Sequence, residues 1–428
     1  MRFFAIAFTL LSAPRLFAQD IDQIINPAAV ERTERVLSSD DMRGRATFTP
    51  DIERAADYIE SRFKAAGLKT WNGSNSYRQP FSLVRATLIS ATGSLDGESL
   101  PENHIVVLSS SPDLTIDENS GYDKYVIKAG SDLRVEARRY IREKKNALVL
   151  VDSSFSASFS MLSRYTRQQF KYDRSVIFVL TAAASPVHYS IHVRQDVKES
   201  KLANVVGILP GTTKKQEIVI FSGHYDHLGV GKPNASGDSI YNGANDDASG
   251  TTAVIMLADY FAKKKNNART IVFAAFTAEE IGEFGSQYFS EQFDPATVVA
   301  MFNIEMIGTE SKWGINSAYI TGFERSDMGQ LLQKNLAGSG FSFYPDPYPD
   351  QQLFYRSDNA TLARQGVPAH TISTSKMDSE KYYHTQGDEI GTLDMNNMAR
   401  IIKSIAVSST SIVAGKDTPS RVDTKQLR

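Results

Sequence analysis

The chain has 428 residues, a formal net charge of -2 and no cysteine. That length exceeds what one compact core usually accommodates, so two domains, or one large domain carrying an insertion, are expected. The 47 basic and 49 acidic residues nearly cancel and leave no electrostatic footprint for nucleic acid, while the missing thiols exclude disulfides, thiol catalysis, thiolate metal sites and a lipidated cysteine anchor.

The first residues, "MRFFAIAFTLLSAPRLFAQD", give one arginine, an apolar run from Phe3 to Leu11 and a short stretch ending in Ala18. This is the pattern of a secretory signal cleaved after Ala18. The run is short for a bilayer span, so no stable membrane anchor is expected and the protein is predicted to be secreted or periplasmic. Residues 19–80 follow as a segment of N-terminal helices. "VERTERVLSSDDMRGRA" and "DIERAADYIESRFKAAGL" both have apolar residues at three and four spacing, with Gly67 as a stop signal after the second.

Across residues 81–201 the pattern changes to short apolar or alternating segments, such as "HIVVLSS", "NALVLVD" and "SVIFVLTA", separated by polar turns. A β-rich insert is predicted, with a helix around "LRVEARRYIREKK". His104, His188 and His192 fall here without a partner at metal-ligand spacing and are read as surface or structural histidines.

Residues 202–428 alternate strand and helix. "NVVGILPG", "EIVIFSGHYD", "TIVFAAFT", "VVAMFNIEMIG", "AYITG" and "AHTIST" read as strands. Helices are expected over "ASGTTAVIMLADYFAKKK", from about Glu279 to Phe293, near "SDMGQLLQKNLAG", after "SDNATLARQG" and from about Asp394. Continuous apolar strands between helices predict a three-layer α/β/α fold around a mixed sheet buried on both faces, with ligands bound beyond the carboxyl ends of the strands.

Polar residues collect at those ends. "GHYDHLG" supplies His224, Asp226 and His227, and a carboxylate two residues from a histidine can hydrogen-bond the second nitrogen of a metal-ligating imidazole. A hydrogen-bonded surface histidine is the ordinary alternative. Asp246 and Asp247 in "YNGANDDASG" precede a helix, where acids also serve as caps, and Glu279 and Glu280 fit a helix first turn equally well. Glu305 lies among apolar neighbours, where an unpartnered carboxylate is costly. His384 follows Tyr382 and Tyr383 in a loop. Each residue has a commonplace reading, but one sheet edge gathering this many acids and two histidines favours a metal site. Without cysteine, zinc held through nitrogen and oxygen is the natural choice, and a second metal accounts for the excess of acids. Neither HExxH nor GxSxG occurs.

In order, "GHYDHLG", "NGANDDASG", "FTAEEIGEFGS", "NIEMIG", "SDNATLARQGVPA" and "YYHTQGDE" resemble the M28 family of zinc peptidases, the co-catalytic aminopeptidase group within the phosphorylase/hydrolase-like fold. The insert stands where many relatives carry a protease-associated domain. The resemblance implies two Zn2+ ions, peptide substrates and a cis peptide between Asp246 and Asp247. It implies His224 and Glu305 as terminal ligands of one metal, Asp246 as the bridging carboxylate, and Glu280 with His384 as ligands of the other. Asp226 then supports His224, Glu279 is the general base and Tyr383 a candidate oxyanion donor. Three positions depart from the family pattern. Glu305 stands where Asp is usual, Asn359 where His is frequent, and "FTPD" replaces a glycine-containing turn after "GRA". A zinc aminopeptidase is the function so implied, with a carboxypeptidase, a glutaminyl cyclase and a non-catalytic binding module on the same scaffold as the competing expectations.

Overall fold

The computed structural model describes residues 21–427 except 144, 172 and 184. The expected signal segment, 1–18, lies outside the described residues. The chain divides into two compact units, one formed by the N-terminal residues to 80 together with those from 203 onward, the other by residues 81–202.

In the larger unit, α1 (Pro27–Leu37) is capped by Asn26 and starts on Pro27, and α2 (Pro50–Ala65) starts on Pro50. The first helix stops at Leu37, short of the expected extent. The Ser38 hydroxyl bonds back to the carbonyl of Glu34, and Arg43, Gly44 and Arg45 then take positive φ, which no α-helix continues through. Phe48 also sits at φ 67°, so an aromatic residue adopts the conformation that glycine would accept more readily in "FTPD".

The sheet of this unit is mixed. Its strands are β1 (Tyr189–Leu209, of which residues 203–209 belong here), β2 (Lys214–His224), β3 (Arg269–Phe276), β4 (Val298–Ile304), β5 (Ser317–Ile320), β6 (Ser342–Pro345) and β7 (Ala369–Ser373). Their order is β6-β5-β7-β4-β2-β3-β1. β3, β2, β4 and β7 run parallel, and β1 joins β3 antiparallel. Side chains alternate between two buried faces, as the strand repeat requires. Phe221, Phe273 and Phe302 point to the face covered by α1, α2 and α3 (Ser249–Lys264). Ile220, Val272 and Met301 meet Phe289 and Leu362 on the other. Phe221 stacks on Phe261, Phe273 and Phe302 with ring centroids 5.4, 5.8 and 4.9 Å away, so one aromatic cluster ties three strands to α3.

In the smaller unit a four-stranded sheet has the order Ile105–Leu108, Val176–Thr181, Ala147–Asp152, Asp123–Ile127. Val149 and Phe178 pack with Leu133, Ala137 and Tyr140 of the helix Leu133–Arg142. Leu148, Leu150 and Ile177 face Tyr189, Ile191 and Val193. His188 and His192 make exposed side-chain hydrogen bonds with Glu118 and Asp113.

Candidate metal centre

β2, β3 and β4 end side by side, and the residues just past those ends converge. β2 ends on His224 itself, Asp226 and His227 follow it, Glu279 and Glu280 come three and four residues after β3, and Glu305 comes directly after β4. Asp246 and Asp247, joined by a cis peptide bond, enter from the turn before α3. That helix approaches closely because Gly250 has no side chain: a Cβ there would lie 2.1 Å from the carbonyl oxygen of Ile304.

Two donor groups result, His224 with Asp246 and Glu305, and His227 with Asp246 and Glu280, each with its ligand atoms within 4.8 Å of one another. Asp246 divides its oxygens between them. Its Oδ1 is 3.2 Å from His224 Nε2, and its Oδ2 is 3.9 Å from His227 Nδ1 and 3.3 Å from His384 Nε2. His384 Nε2 also lies 3.1 Å from Glu280 Oε2, whose other oxygen is 2.7 Å from His227 Nδ1. The structure thus brings together all five residues expected as ligands, Glu305 included, and adds His227.

Buried His224 Nε2, His227 Nε2 and Glu305 Oε2 have no hydrogen-bond partner among the described residues. Orphaned buried donors and acceptors of this kind are costly, and two imidazoles interleaved with three carboxylates suit a divalent cation of the zinc type. The residues fit the metal that the sequence implies.

The backbone of the ligands is held by carboxylates that are not themselves in the two groups. Asp226 was expected to support the ring of His224. Instead, His224 Nδ1 bonds the main-chain oxygen of Asp226 at 3.1 Å, and the nearer carboxylate oxygen stands 3.8 Å off. The carboxylate accepts the amides of Glu279 and Glu280, at 3.1 and 3.4 Å, because those two donors lie over the strand end and would otherwise be buried unpaired. Asp247 accepts the amides of His224, Gly250 and Met306. Asp388 accepts those of Asn245 and Asp246 at 2.8 and 3.0 Å, and its pKa is pushed up to about 6 by burial. The supporting roles of Asp247 and Asp388 were not read from sequence. The only signal was their position, one acid beside Asp246 and one four residues after His384.

Glu279 and Glu280 are not the first turn of a helix. Ala278, Gly282 and Glu283 all have positive φ, and the helix starts only at Phe284, running to Ser290. Released from helical geometry, the two side chains meet different surroundings. Burial pushes Glu279 well above the usual carboxylate range; the charge of His224 opposes this, and Glu305, Asp358 and Glu280 reinforce it. Burial and Asp246 would raise Glu280 too, but hydrogen bonds from His227 and His384 outweigh them and hold it low. The two neighbouring acids are thus driven apart, the protonated form being favoured at Glu279 and the ionised form at Glu280. Glu279 Oε2 is 4.0 Å from His224 Nε2, and its side chain keeps 13% of its surface open.

Glu305 is pushed up to about 7 by burial, with Asp246 and Glu280 adding to the effect and His224 and a Ser357 hydrogen bond opposing it. Ala278, Met306 and His384, each in or beside the site, are non-glycine residues at φ 60°, 52° and 57°. Such backbone persists where surrounding contacts over-determine it. Tyr383 stacks on the ring of His384, centroids 3.9 Å apart, and burial together with Asp246, Glu305, Glu280 and Glu279 raises its hydroxyl pKa. Asn359 is buried and belongs to neither donor group. It donates to the carbonyls of Phe354 and Ala369 and accepts from Thr371, fastening the short helix Asn359–Ala363 to β7.

The sequence profile of peptidase family M28 matches residues 204–408. A leucine aminopeptidase 1 of Ajellomyces capsulatus is 29% identical over 216 residues, 47% of this chain and 53% of that protein, so the chain spans about half the length of this curated relative. Among solved structures, an aminopeptidase from Aneurinibacillus sp. strain AM-1 superposes with a TM-score of 0.55 and 17% identity, covering 96% of this chain and 98% of its own. A zinc aminopeptidase from Bacillus subtilis gives 0.55 and 16%, over 94% and 97%. These two share the fold. The profile match spans both donor groups, so residues 204–408 are similar to peptidase family M28.

Proposed function

We propose that this chain is an exported zinc aminopeptidase that removes N-terminal residues from peptides. The observation that carries the proposal is the pair of donor groups sharing Asp246, with the buried nitrogen of His224 and the buried oxygen of Glu305 left without a hydrogen-bond partner among the described residues. His224, Asp246 and Glu305 would hold one zinc. Asp246, Glu280 and His384 would hold the second, with His227 fixing Glu280 through its 2.7 Å contact. When bound, a zinc pair supplies Lewis acidity and a water acidic enough to attack at neutral pH.

The remaining steps belong to side chains. Glu279, which is in neither donor group, accepts the proton of the attacking water in its ionised form and returns it to the departing amine. Asp226 fixes the backbone of both glutamates, so the base and the bound charge keep their separate directions. The Tyr383 hydroxyl, at the rim beside His384, donates a hydrogen bond to the carbonyl oxygen as negative charge develops there. Export is supported by the apolar run from Phe3 to Leu11. No helix among the described residues is long and apolar enough to cross a membrane.

The test is hydrolysis of free-amine dipeptides beside their N-acetylated and C-amidated counterparts, with chelation and zinc add-back. The proposal expects cleavage that survives C-amidation, is lost on N-acetylation and returns with zinc. Cleavage that needs a free carboxylate would establish a carboxypeptidase instead.

A further inference from the structure

Arg45 is 0% exposed, an unusual place for a permanent cation. Its guanidinium donates to four main-chain carbonyls: Nε to Tyr225 at 2.8 Å, Nη1 to Asn242 at 2.6 Å and to Leu37 at 2.7 Å, and Nη2 to Gly243 at 2.9 Å. Tyr225 stands between His224 and Asp226. Asn242 and Gly243 lead directly into the turn that carries Asp246. One side chain therefore grips both loops from which the shared donors come.

The main chain around Arg45 follows the same course. Its carbonyl accepts the amide of His227 at 3.2 Å, Ala46 forms a parallel bridge with His227, and the Thr47 hydroxyl donates to Asp226 Oδ2 at 3.0 Å. Positive φ at Arg43, Gly44 and Arg45 turns this segment inward. At Gly44 a Cβ would lie 2.4 Å from the Tyr241 oxygen and 2.7 Å from the Gly229 oxygen, so only glycine lets the segment pass between the two loops. Glu34, Asp388, Asp246 and Asp226 surround the buried cation.

We propose that Arg45 is a positioning residue whose buried guanidinium locks the loop of His224 and Asp226 to the loop of Asp246, and thereby sets the metal affinity of the centre. This rests on the zinc reading above. A planar fork with fixed donor directions holds several carbonyls at once, which a lysine ammonium on a flexible stem does not reproduce.

Arg269 provides the control. It is also buried, at 1% exposure, and donates to the carbonyls of Ile412 and Asp417 and to Thr418 and Glu217. It opens β3 at the end opposite the site, roughly 23 Å away at about 3.3 Å per strand residue.

The experiment compares Arg45→Lys, Thr47→Val and Arg269→Lys in full chains, by zinc competition against a chelator and by amide hydrogen exchange on metal-stripped protein. Arg45→Lys is expected to weaken zinc binding roughly 10- to 100-fold, the usual effect of losing a group that orients ligands, while Arg269→Lys keeps wild-type affinity. Exchange in Arg45→Lys rises over residues 225–230 and 242–247, and in Arg269→Lys over 412–418 only. Zinc affinity within about twofold of wild type in Arg45→Lys, or an equal loss in Arg269→Lys, overturns the proposal. Should Arg45→Lys not fold, Thr47→Val decides: faster exchange at 226–228 with weaker zinc binding supports the lock, and no change in either refutes it. A wild-type chain that binds no zinc refutes the zinc reading and with it the affinity consequence, while exchange on the metal-free protein still decides whether Arg45 holds the loops.

Discussion

His370 lies on β7, fully buried, with Nδ1 2.8 Å from the carbonyl oxygen of Thr321 and Nε2 2.7 Å from the Ser326 hydroxyl. The carbonyl only accepts, so Nδ1 carries the proton and Nε2 accepts from Ser326; both bonds are satisfied by the neutral ring. Burial lowers its pKa from 6.5 to about 4. Between those values the unfolded chain binds a proton that the native chain refuses, so stability is present above pH 6.5 and is lost as pH falls toward 4. A gap of about 2.5 units at 1.36 kcal/mol each gives a full loss of about 3 kcal/mol, of which about 2.4 is reached by pH 4.5. The assay is urea unfolding of wild type and His370→Gln at pH 7 and pH 4.5, both with chelator so that metal ligands contribute equally. The variant carries a constant cost at both pH values, and its stability deficit should shrink by about 2 kcal/mol at pH 4.5. An equal deficit at the two pH values would refute a neutral His370 in the native state.

Three further outcomes are expected. Glu279→Gln should cut kcat by about 10²- to 10⁴-fold, a barrier increase of about 3 to 5 kcal/mol, while zinc content stays unchanged because Glu279 is in neither donor group; full activity would sink its role as base. Glu305→Ala should lower zinc stoichiometry and Glu305→Asp should hold or improve affinity, measured by metal analysis after dialysis; wild-type zinc content in Glu305→Ala would reject ligation by that residue. Phe221→Ala should cost about 3 to 5 kcal/mol by thermal or urea unfolding, since it empties the centre of a four-ring cluster at 0% exposure, and a loss under about 1 kcal/mol would mean the core closes around the gap.

Much of this architecture was legible because chemistry and periodicity coincide. Continuous apolar runs such as "TIVFAAFT" are buried on both sheet faces, and the acids and histidines after them meet at one sheet edge. Local pattern did not reveal contacts between residues far apart in the chain. Arg45 bonds residues 180 and 198 positions away, so "DDMRGRA" read as the tail of a helix when it is a tie between two loops. Asp226 is two residues from His224, yet its carboxylate serves amides 53 and 54 residues on, which proximity in sequence concealed. The glutamate pair looked like an acidic helix start because that is what Glu-Glu after a strand usually is. Left-handed backbone at Ala278, Gly282 and Glu283, which no composition rule flags for alanine or glutamate, defers the helix and frees the pair. The place of Asn359 was concealed for the same reason: two of its three hydrogen bonds cross from a short helix to β7.

The central claim is that the donors sharing Asp246 hold zinc for removing N-terminal residues. Its most direct test is zinc stoichiometry of the purified chain by elemental analysis, read together with hydrolysis of leucyl dipeptides before and after chelation. Two zinc ions per chain, activity that follows zinc content through removal and add-back, and no cleavage of N-acetylated substrate are expected. A chain that holds no zinc, or one that cleaves equally well after chelation, would contradict it.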